Sequence, residues 1–370
     1  MALEQESALK TATTKRSIAT GTASPADPAQ MLDMICEHFV EHGVVTRDGS
    51  RGRIDSPIGS AEFTVDGRHL RIRVDCPDAD TLFTVKSVLA EHLFMFAGEE
   101  ELELVWDGAP PSGSIPYFRE AHVVAARRVT PLMQRVTFAV SDAGAFAEGG
   151  LHVRLLIPPA GRPPVWPTAR PDGRLSWPAS EDALTIRAYT IRAIDQQRGT
   201  IDIDFVLHRG GVTPAASWAE DALPGAIVGF LGPGGGGLPE ARRLLIAGDE
   251  TALPAIARMA TLMPEHVSAR IFIEVAGPQE EQAIALPSTS EITWLHRNGK
   301  DAGTCGLIPN VIRQALAGGA DDDHHVWVAC EHAEAKAIRR FLRTELRHDR
   351  SRHTVAAYWR LGQSSDTDFD

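Results

Sequence analysis

The chain has 370 residues, 43% hydrophobic and 23% charged, a balance that excludes a disordered or fibrous polymer and, at usual domain sizes, makes two or three globular domains. Its formal charge of −12 speaks against general binding to nucleic acid or to anionic membrane, because both select a basic surface. An anionic substrate would need a local basic patch.

Four cysteines, Cys36, Cys76, Cys305 and Cys330, stand far apart with no C-x-x-C pair, so neither a zinc site nor a disulfide framework is indicated. The start, "MALEQESALKTATTKRSIAT", has no apolar core of signal-peptide length, and no run approaches the roughly 20 apolar residues of a membrane span. No membrane insertion is expected, and a reducing cytoplasm is the simplest placement. The oligomeric state is left open.

In chain order, residues 1–17 are polar and read as an arm. "PADPAQMLDMICEHFVEHG" predicts a helix, with Met31, Ile35 and Phe39 at helical spacing and Gly43 placed to end it. "RGRIDSPIGSAEFTVDGRHLRIRVDCP" predicts strands around an Asp66-Gly67 hairpin turn. A second helix, "ADTLFTVKSVLAEHLFMFAG", and a strand, "EELELVWDG", complete a small α+β domain over residues 18–108. Residues 109–116 have the Gly, Pro and Ser content of a linker, so this domain reads as separable.

Residues 117–240 are mostly β. "HVVAARRV", "QRVTFAV", "HVRLLIP", "LTIRAYTIRAI", "TIDIDFVLH" and "AIVGFLG" follow closely enough to predict an antiparallel barrel, with "PPAGRPPVWPTARPDGRLSWP" as a surface loop. Over residues 241–362 strands and helices alternate, from "RRLLIAG" and "ETALPAIARMATLM" to "HHVWVAC" and "EAKAIRRFLRTEL". This predicts a Rossmann-like parallel α/β domain, followed by a tail over 363–370. "DDDHH", Asp321–His325, reads as a polar loop rather than a metal site.

A barrel followed by a parallel sheet suits an enzyme that holds a flavin on the first and a nicotinamide dinucleotide on the second. In "TIRAYTIR", Arg187 and Tyr189 share one strand face. Tyr189 would lie against the isoalloxazine, Arg187 would reach the pyrophosphate, and Thr190 would stand near flavin N5. Taken alone, the three also fit a barrel strand with one wet face. In "VLHRGGVTPAASWAEDALPG", Thr213 suits an N-cap and Pro214 the first helical position, leaving the N–H groups of Ala215, Ala216 and Ser217 as an anion site. "LLIAGDETALPAI" is a strand–turn–helix of the kind dinucleotide sites use, without a G-x-G-x-x-G.

In this order, "RAYTIR", "LHRGGVTPAASWAEDALPG", "FLGPGGG", "AGDETALPAI", "WLHR", "VWVACE" and "YWRLG" resemble the siderophore-interacting protein family. These are FAD-dependent ferric-siderophore reductases related to ferredoxin–NADP reductases. The resemblance spans about residues 117–362. Residues 18–107 look like a small domain of unknown function seen fused ahead of such reductases. The resemblance implies FAD contacts from Arg187, Tyr189, Thr190, His208, Ala215, Ala216, Ser217 and Trp218. It implies contacts to NADH or NADPH from Gly248, Asp249, Glu250, Thr251 and Ala252, with Glu331 in the same cleft.

Two positions depart from the family pattern. Thr213 stands where the family usually has Gly before the proline, which bears on the path of the phosphate loop. Cys330 stands where it usually has Gly, and is expected to add bulk near the nicotinamide pocket.

The reaction implied passes electrons from NAD(P)H through the flavin to Fe(III) in a bound siderophore. Fe(II), held less tightly by hard oxygen ligands, then leaves. The siderophore supplies the iron's ligands, so no metal site is expected, and no catalytic acid, base or nucleophile is assigned. Arg192, next to the flavin strand, is the expected contact to an anionic siderophore, whereas Arg127, Arg128 and Arg135 read as a solvated strand face. Glu274 would suit a ribose hydroxyl and Arg297 a 2′-phosphate, which leaves NADH against NADPH open. The alternatives are a siderophore- or flavin-binding protein without turnover and a general flavin or ferredoxin reductase of the same fold.

Overall fold

The computed structural model describes residues 16–40, 43–108, 113–207, 213–318 and 324–363. They fall into two compact units. Unit 1 holds Met1–Pro116 together with Trp166–Pro178, and unit 2 holds Tyr117–Val165 and Ala179–Asp370.

Unit 1 begins with β1 (Ser17–Ser24), α1 (Pro28–Phe39), β2 (Val44–Asp48), β3 (Arg51–Ser56) and β4 (Gly59–Asp66), then continues through β5 (His69–Cys76), α2 (Ala79–Ala97) and β6 (Glu103–Trp106). Its six strands form one sheet in the order β2-β3-β4-β5-β1-β6. Asp27 starts α1 by accepting the Ala29 and Gln30 N–H groups, and the helix buries Met31, Ile35 and Phe39 as their spacing predicts. The Asp66-Gly67 turn joins β4 to β5, with Asp66 paired to His69 and Gly67 at φ +62°.

β1 was not predicted. Its inward residues are Ala19, Gly21 and Ala23, too small to print an apolar alternation. Size is the reason they are there: a Cβ on Gly21 would come within 2.7 Å of the Trp106 ring.

Unit 2 opens with β7 (Phe118–Thr130), β8 (Met133–Val140) and β9 (His152–Ile157). After the short hairpin β10 (Thr168–Ala169) and β11 (Leu175–Ser176) come β12 (Thr185–Asp195), β13 (Thr200–Val206), α3 (Pro214–Glu220) and β14 (Ile227–Gly234). The hairpin belongs to unit 1, and the six strands β7, β8, β9, β12, β13 and β14 close into an antiparallel barrel, ordered β12-β13-β8-β7-β14-β9. Helix α3 packs on its core through Ala215 and Ala219. Trp218 anchors it, with its ring stacked on Phe138 and tilted against Phe205.

The proline-rich insertion differs from the expected surface loop. Trp166–Pro178 is part of unit 1, where Trp106 Nε1 donates to Asp172 O at 2.9 Å and the Arg174 guanidinium lies 3.3 Å from the centre of the Phe94 ring. Leu175 N–H also donates to Glu91. Removing residues before Tyr117 would therefore also strip this segment of its partners. A chain starting at Tyr117 should be cut by trypsin after Arg174 markedly faster than the full chain. Equal cleavage rates would show that unit 1 does not hold the insertion.

The last part of unit 2 is β15 (Arg243–Gly248), α4 (Leu253–Leu262), β16 (Ser268–Val275), β17 (Glu291–His296), α5 (Leu307–Ala315), β18 (His324–Glu331), α6 (His332–Arg340) and β19 (His353–Trp359). The strands are all parallel, in the order β17-β16-β15-β18-β19. Apolar layers cover both faces, one built on α4 and the other on α5 and α6. The winding reverses between β15 and β18, and ligand crevices in such sheets open at that point, beyond the carboxyl ends of the strands. Among the described residues no helix is long and apolar enough to cross a membrane.

Candidate cofactor site

The site begins on β12. Arg187 pairs with Leu155 and Tyr189 with Val153, and both partners belong to the barrel core. Arg187 and Tyr189 therefore share the inward row. The Tyr189 ring centre lies 4.4 Å from that of Phe205, and Arg187 Nη1 donates to Ile186 O at 2.6 Å. Thr190 is buried and sits opposite His152.

The ladder between β12 and β13 slips between Ile191 and Ala193, so Arg192 stands at a bulge. The expected solvent-facing cation is absent there. The Arg192 side chain is 15% exposed and lies 3.9 Å from Asp204. That carboxylate already takes two hydrogen bonds from Arg135, at 2.6 and 2.8 Å. Burial pushes Arg192 below its ordinary pKa, against the pull of Asp204.

At the start of α3, Pro214 occupies the first turn as expected, and Thr213 is the N-cap residue, but its side chain makes no capping bond. Its hydroxyl is buried and has no partner among the described residues. The Ser217 N–H is not free either, because it donates to Thr213 O at 3.0 Å. The expected anion site thus narrows to the N–H groups of Ala215 and Ala216, which have no partner within the helix, beside the Thr213 hydroxyl. His208 lies outside the described residues. A buried hydroxyl next to N–H groups that have no partner within the helix fits an acceptor-rich ligand such as a pyrophosphate.

The second half of the site follows β15. Gly248 admits no side chain, since a Cβ would come within 2.4 Å of the Ala252 Cβ. Asp249 is buried. Its Oδ1 accepts the Thr251 N–H and hydroxyl at 2.9 and 2.5 Å, and its Oδ2 accepts the Trp359 indole N–H at 2.7 Å. Burial, then the neighbouring Glu250, push its carboxyl up to about 6.

Glu250 is held by Arg297 through two hydrogen bonds of 2.6 and 2.7 Å. The same guanidinium reaches Glu274 at 3.4 Å. Burial opposes the charge on Arg297, but Glu250 and Glu274 hold it above its ordinary value. Arg297 is thus committed to carboxylates rather than open to a 2′-phosphate. Glu274 and Glu334 are buried too, and burial chiefly pushes each up to about 7. Glu331 caps α6 by accepting the Ala333 and Glu334 N–H groups, and its other oxygen takes the Leu361 N–H.

Cys330 corrects an expectation. Its side chain is fully buried in the apolar layer with Val328, Ala335 and Ile338, so it fills core rather than standing in an open nicotinamide pocket. Burial pushes its thiol well up. Among the described residues no group of three or more His, Cys, Asp or Glu could hold a metal ion.

Comparison with known proteins matches the barrel and the parallel-sheet region separately. Residues 122–237 fit the model of the siderophore-interacting FAD-binding domain, and residues 241–362 fit that of the siderophore-interacting protein. The ferric vibriobactin reductase of Vibrio cholerae is 30% identical over 254 residues, covering 68% of this chain and 92% of its own. The chain belongs to the siderophore-interacting protein family. Its barrel is accordingly an FAD-binding domain. The ferric acinetobactin reductase of Acinetobacter baumannii is 30% identical over 184 residues, 48% of this chain and 62% of its own. The solved siderophore utilization protein from T. fusca is 34% identical, with a TM-score of 0.57, covering 68% of this chain and 95% of its own. Residues 20–107 match an uncharacterized protein conserved in bacteria.

Several residues of this family member had no role assigned from sequence. Trp359 holds Asp249. Tyr358 OH lies 2.8 Å from His152 Nε2. The motif "YWRLG" marks both, but only the fold shows what they touch. Arg258 had no signal beyond a lone charged residue in an apolar helix.

Proposed function

We propose that the protein is an FAD-dependent ferric-siderophore reductase. In the overall reaction, one NAD(P)H and two Fe(III) siderophores yield NAD(P)+, one proton and two Fe(II). The observation that carries the reading is the pairing of the Arg187–Thr190 strand with the α3 start, where the Thr213 hydroxyl lies buried with no partner among the described residues. Arg187 and the Ala215 and Ala216 N–H groups would hold the FAD pyrophosphate, Tyr189 would flank the ring, and Thr190 would stand nearest its reactive edge. FAD supplies the conversion between a two-electron donor and a one-electron acceptor.

Trp218, committed to Phe138 and Phe205, would support α3 rather than stack on a ligand. The Gly248–Ala252 turn at the switch point would receive the nicotinamide nucleotide, with Glu331 shaping the far wall. The commitment of Arg297 to Glu250 and Glu274 supports NADH over NADPH, because Arg297 would not be available to an added 2′-phosphate. The Asp204 contact compensates Arg192, so the attraction of an anionic siderophore is not assigned to it. The cytoplasm, which supplies reduced nicotinamide, is the proposed setting.

Anaerobic mixing tests the proposal. The purified protein should be yellow, release FAD on heating, and bleach faster with NADH than with NADPH. It should regain colour on adding a ferric siderophore, with Fe(II) captured by a chelator. Failure of both nucleotides to bleach bound FAD would overturn the reductase reading in favour of a binding protein without turnover.

A further inference from the structure

Helix α4 opens directly behind the Asp249–Ala252 turn and carries one buried cation, Arg258. Its Nη2 donates to Phe146 O at 2.7 Å, and its Nη1 donates to Leu151 O and Ile191 O, each at 3.4 Å. All three acceptors are main-chain carbonyls of the barrel. Among the described residues no carboxylate pairs with it, and burial pushes its pKa down. Burying a guanidinium without a counter-charge is costly, and a methionine at this position would avoid that cost. The three-way fork does what methionine cannot, fixing carbonyls in a set geometry.

The carbonyls are placed to matter. Ile191 lies between Thr190 and Arg192, where the ladder slips. Its N–H donates to Leu151 O at 2.8 Å, so Leu151 O takes both the strand and the guanidinium. A second link ends at the same place. Trp359 holds Asp249, the adjacent Tyr358 meets His152, and His152 sits opposite Thr190 in register. Two struts therefore run from the Asp249 turn to the backbone around Thr190.

We infer that Arg258 is a positioning residue for electron transfer: it fixes the Thr190–Arg192 segment of the flavin strand against the helix that opens at the nucleotide turn, and so sets the approach of nicotinamide to flavin. This rests on the reductase reading above. A displacement of about 1 Å between reacting groups costs on the order of 100-fold in rate, so loss of the fork should appear in rate rather than in affinity.

The test uses the full chain loaded with FAD, as wild type, Arg258→Met and Arg258→Lys. Both variants should keep FAD affinity and nucleotide KM close to wild type, since none of the hydrogen bonds of Arg258 goes to Arg187, Tyr189, α3 or the 249–252 turn. The limiting rate of flavin bleaching should fall on the order of 10-fold to 100-fold in Arg258→Met and less in Arg258→Lys. Amide exchange at Leu151 and Ile191 should speed up in the same order, a readout independent of turnover. Wild-type bleaching and exchange in Arg258→Met would overturn the inference, as would a raised KM with an unchanged limiting rate. If Arg258→Met does not fold, wild-type bleaching and exchange in Arg258→Lys overturn it. If neither nucleotide bleaches the wild-type protein, the reductase reading fails instead, and the exchange rates alone decide whether Arg258 holds the strand.

Discussion

Replacing Arg297 by methionine should destabilise unit 2 by about 3–5 kcal/mol at pH 8, and by clearly less at pH 5.5. The Arg297, Glu250 and Glu274 side chains are 4%, 14% and 1% exposed, so solvent screens them little. Removing one partner of a buried ion pair leaves an uncompensated charge, and this is the costly direction. The pH dependence follows from Glu274. Its carboxyl is raised from the ordinary 4.5 to about 7, so between those values the folded protein binds more protons than the unfolded chain. Stability then falls as pH rises across that window, by on the order of 3 kcal/mol for this group alone. Without Arg297, Glu274 rises further. At pH 5.5 it simply stays protonated, and the loss is confined to Glu250. Urea midpoints at the two pH values measure the difference. Glu274→Gln, which keeps an acceptor for Arg297, should flatten the fall of stability between pH 5.5 and 8. Equal losses at both pH values for Arg297→Met would show that the cluster is wetter than its burial indicates.

The barrel and the parallel sheet were legible because their strands are apolar runs bounded by Gly and Pro, a local signal. The Arg187 strand and the α3 start were legible for the same reason: each is a contiguous motif whose parts meet within one turn or one strand. What could not be read depends on distant partners. Thr213 has the right side chain for a cap, yet whether its hydroxyl turns back to the helix is decided by the surrounding loop. Arg192 looked like a free cation because Asp204, its neighbour across the bulge, lies on another strand. Arg297 was open to a phosphate on paper. Parallel pairing of β16 with β17 and the turn after β15 bring Glu274 and Glu250 onto it. Arg258 bonds to main-chain carbonyls, which carry no residue-type signature, and the Trp166–Pro178 insertion meets Trp106, Phe94 and Glu91, which lie far back in the chain.

Arg187→Ala should weaken FAD binding by roughly 10-fold to 150-fold, the equivalent of one charge-assisted hydrogen bond of about 1.5–3 kcal/mol. The pyrophosphate is the only strongly anionic part of FAD, and Arg187 is the cation on the inward row of β12. Its carbonyl contact at Ile186 holds the guanidinium in place before any ligand arrives, which lowers the entropy lost on binding. Tyr189→Ala should cost less, about 1 kcal/mol beyond area burial, and should alter the visible flavin spectrum if the ring flanks the chromophore as proposed. Tyr117→Ala, just before β7, controls for general loss of an aromatic residue. Fluorescence titration of the reconstituted apoprotein, well below each variant's melting temperature, gives the affinities. If FAD binds Arg187→Ala and Tyr189→Ala as it binds Tyr117→Ala, the inward row of β12 is barrel structure only. The flavin would then have to be held by the α3 start and by residues beyond this strand.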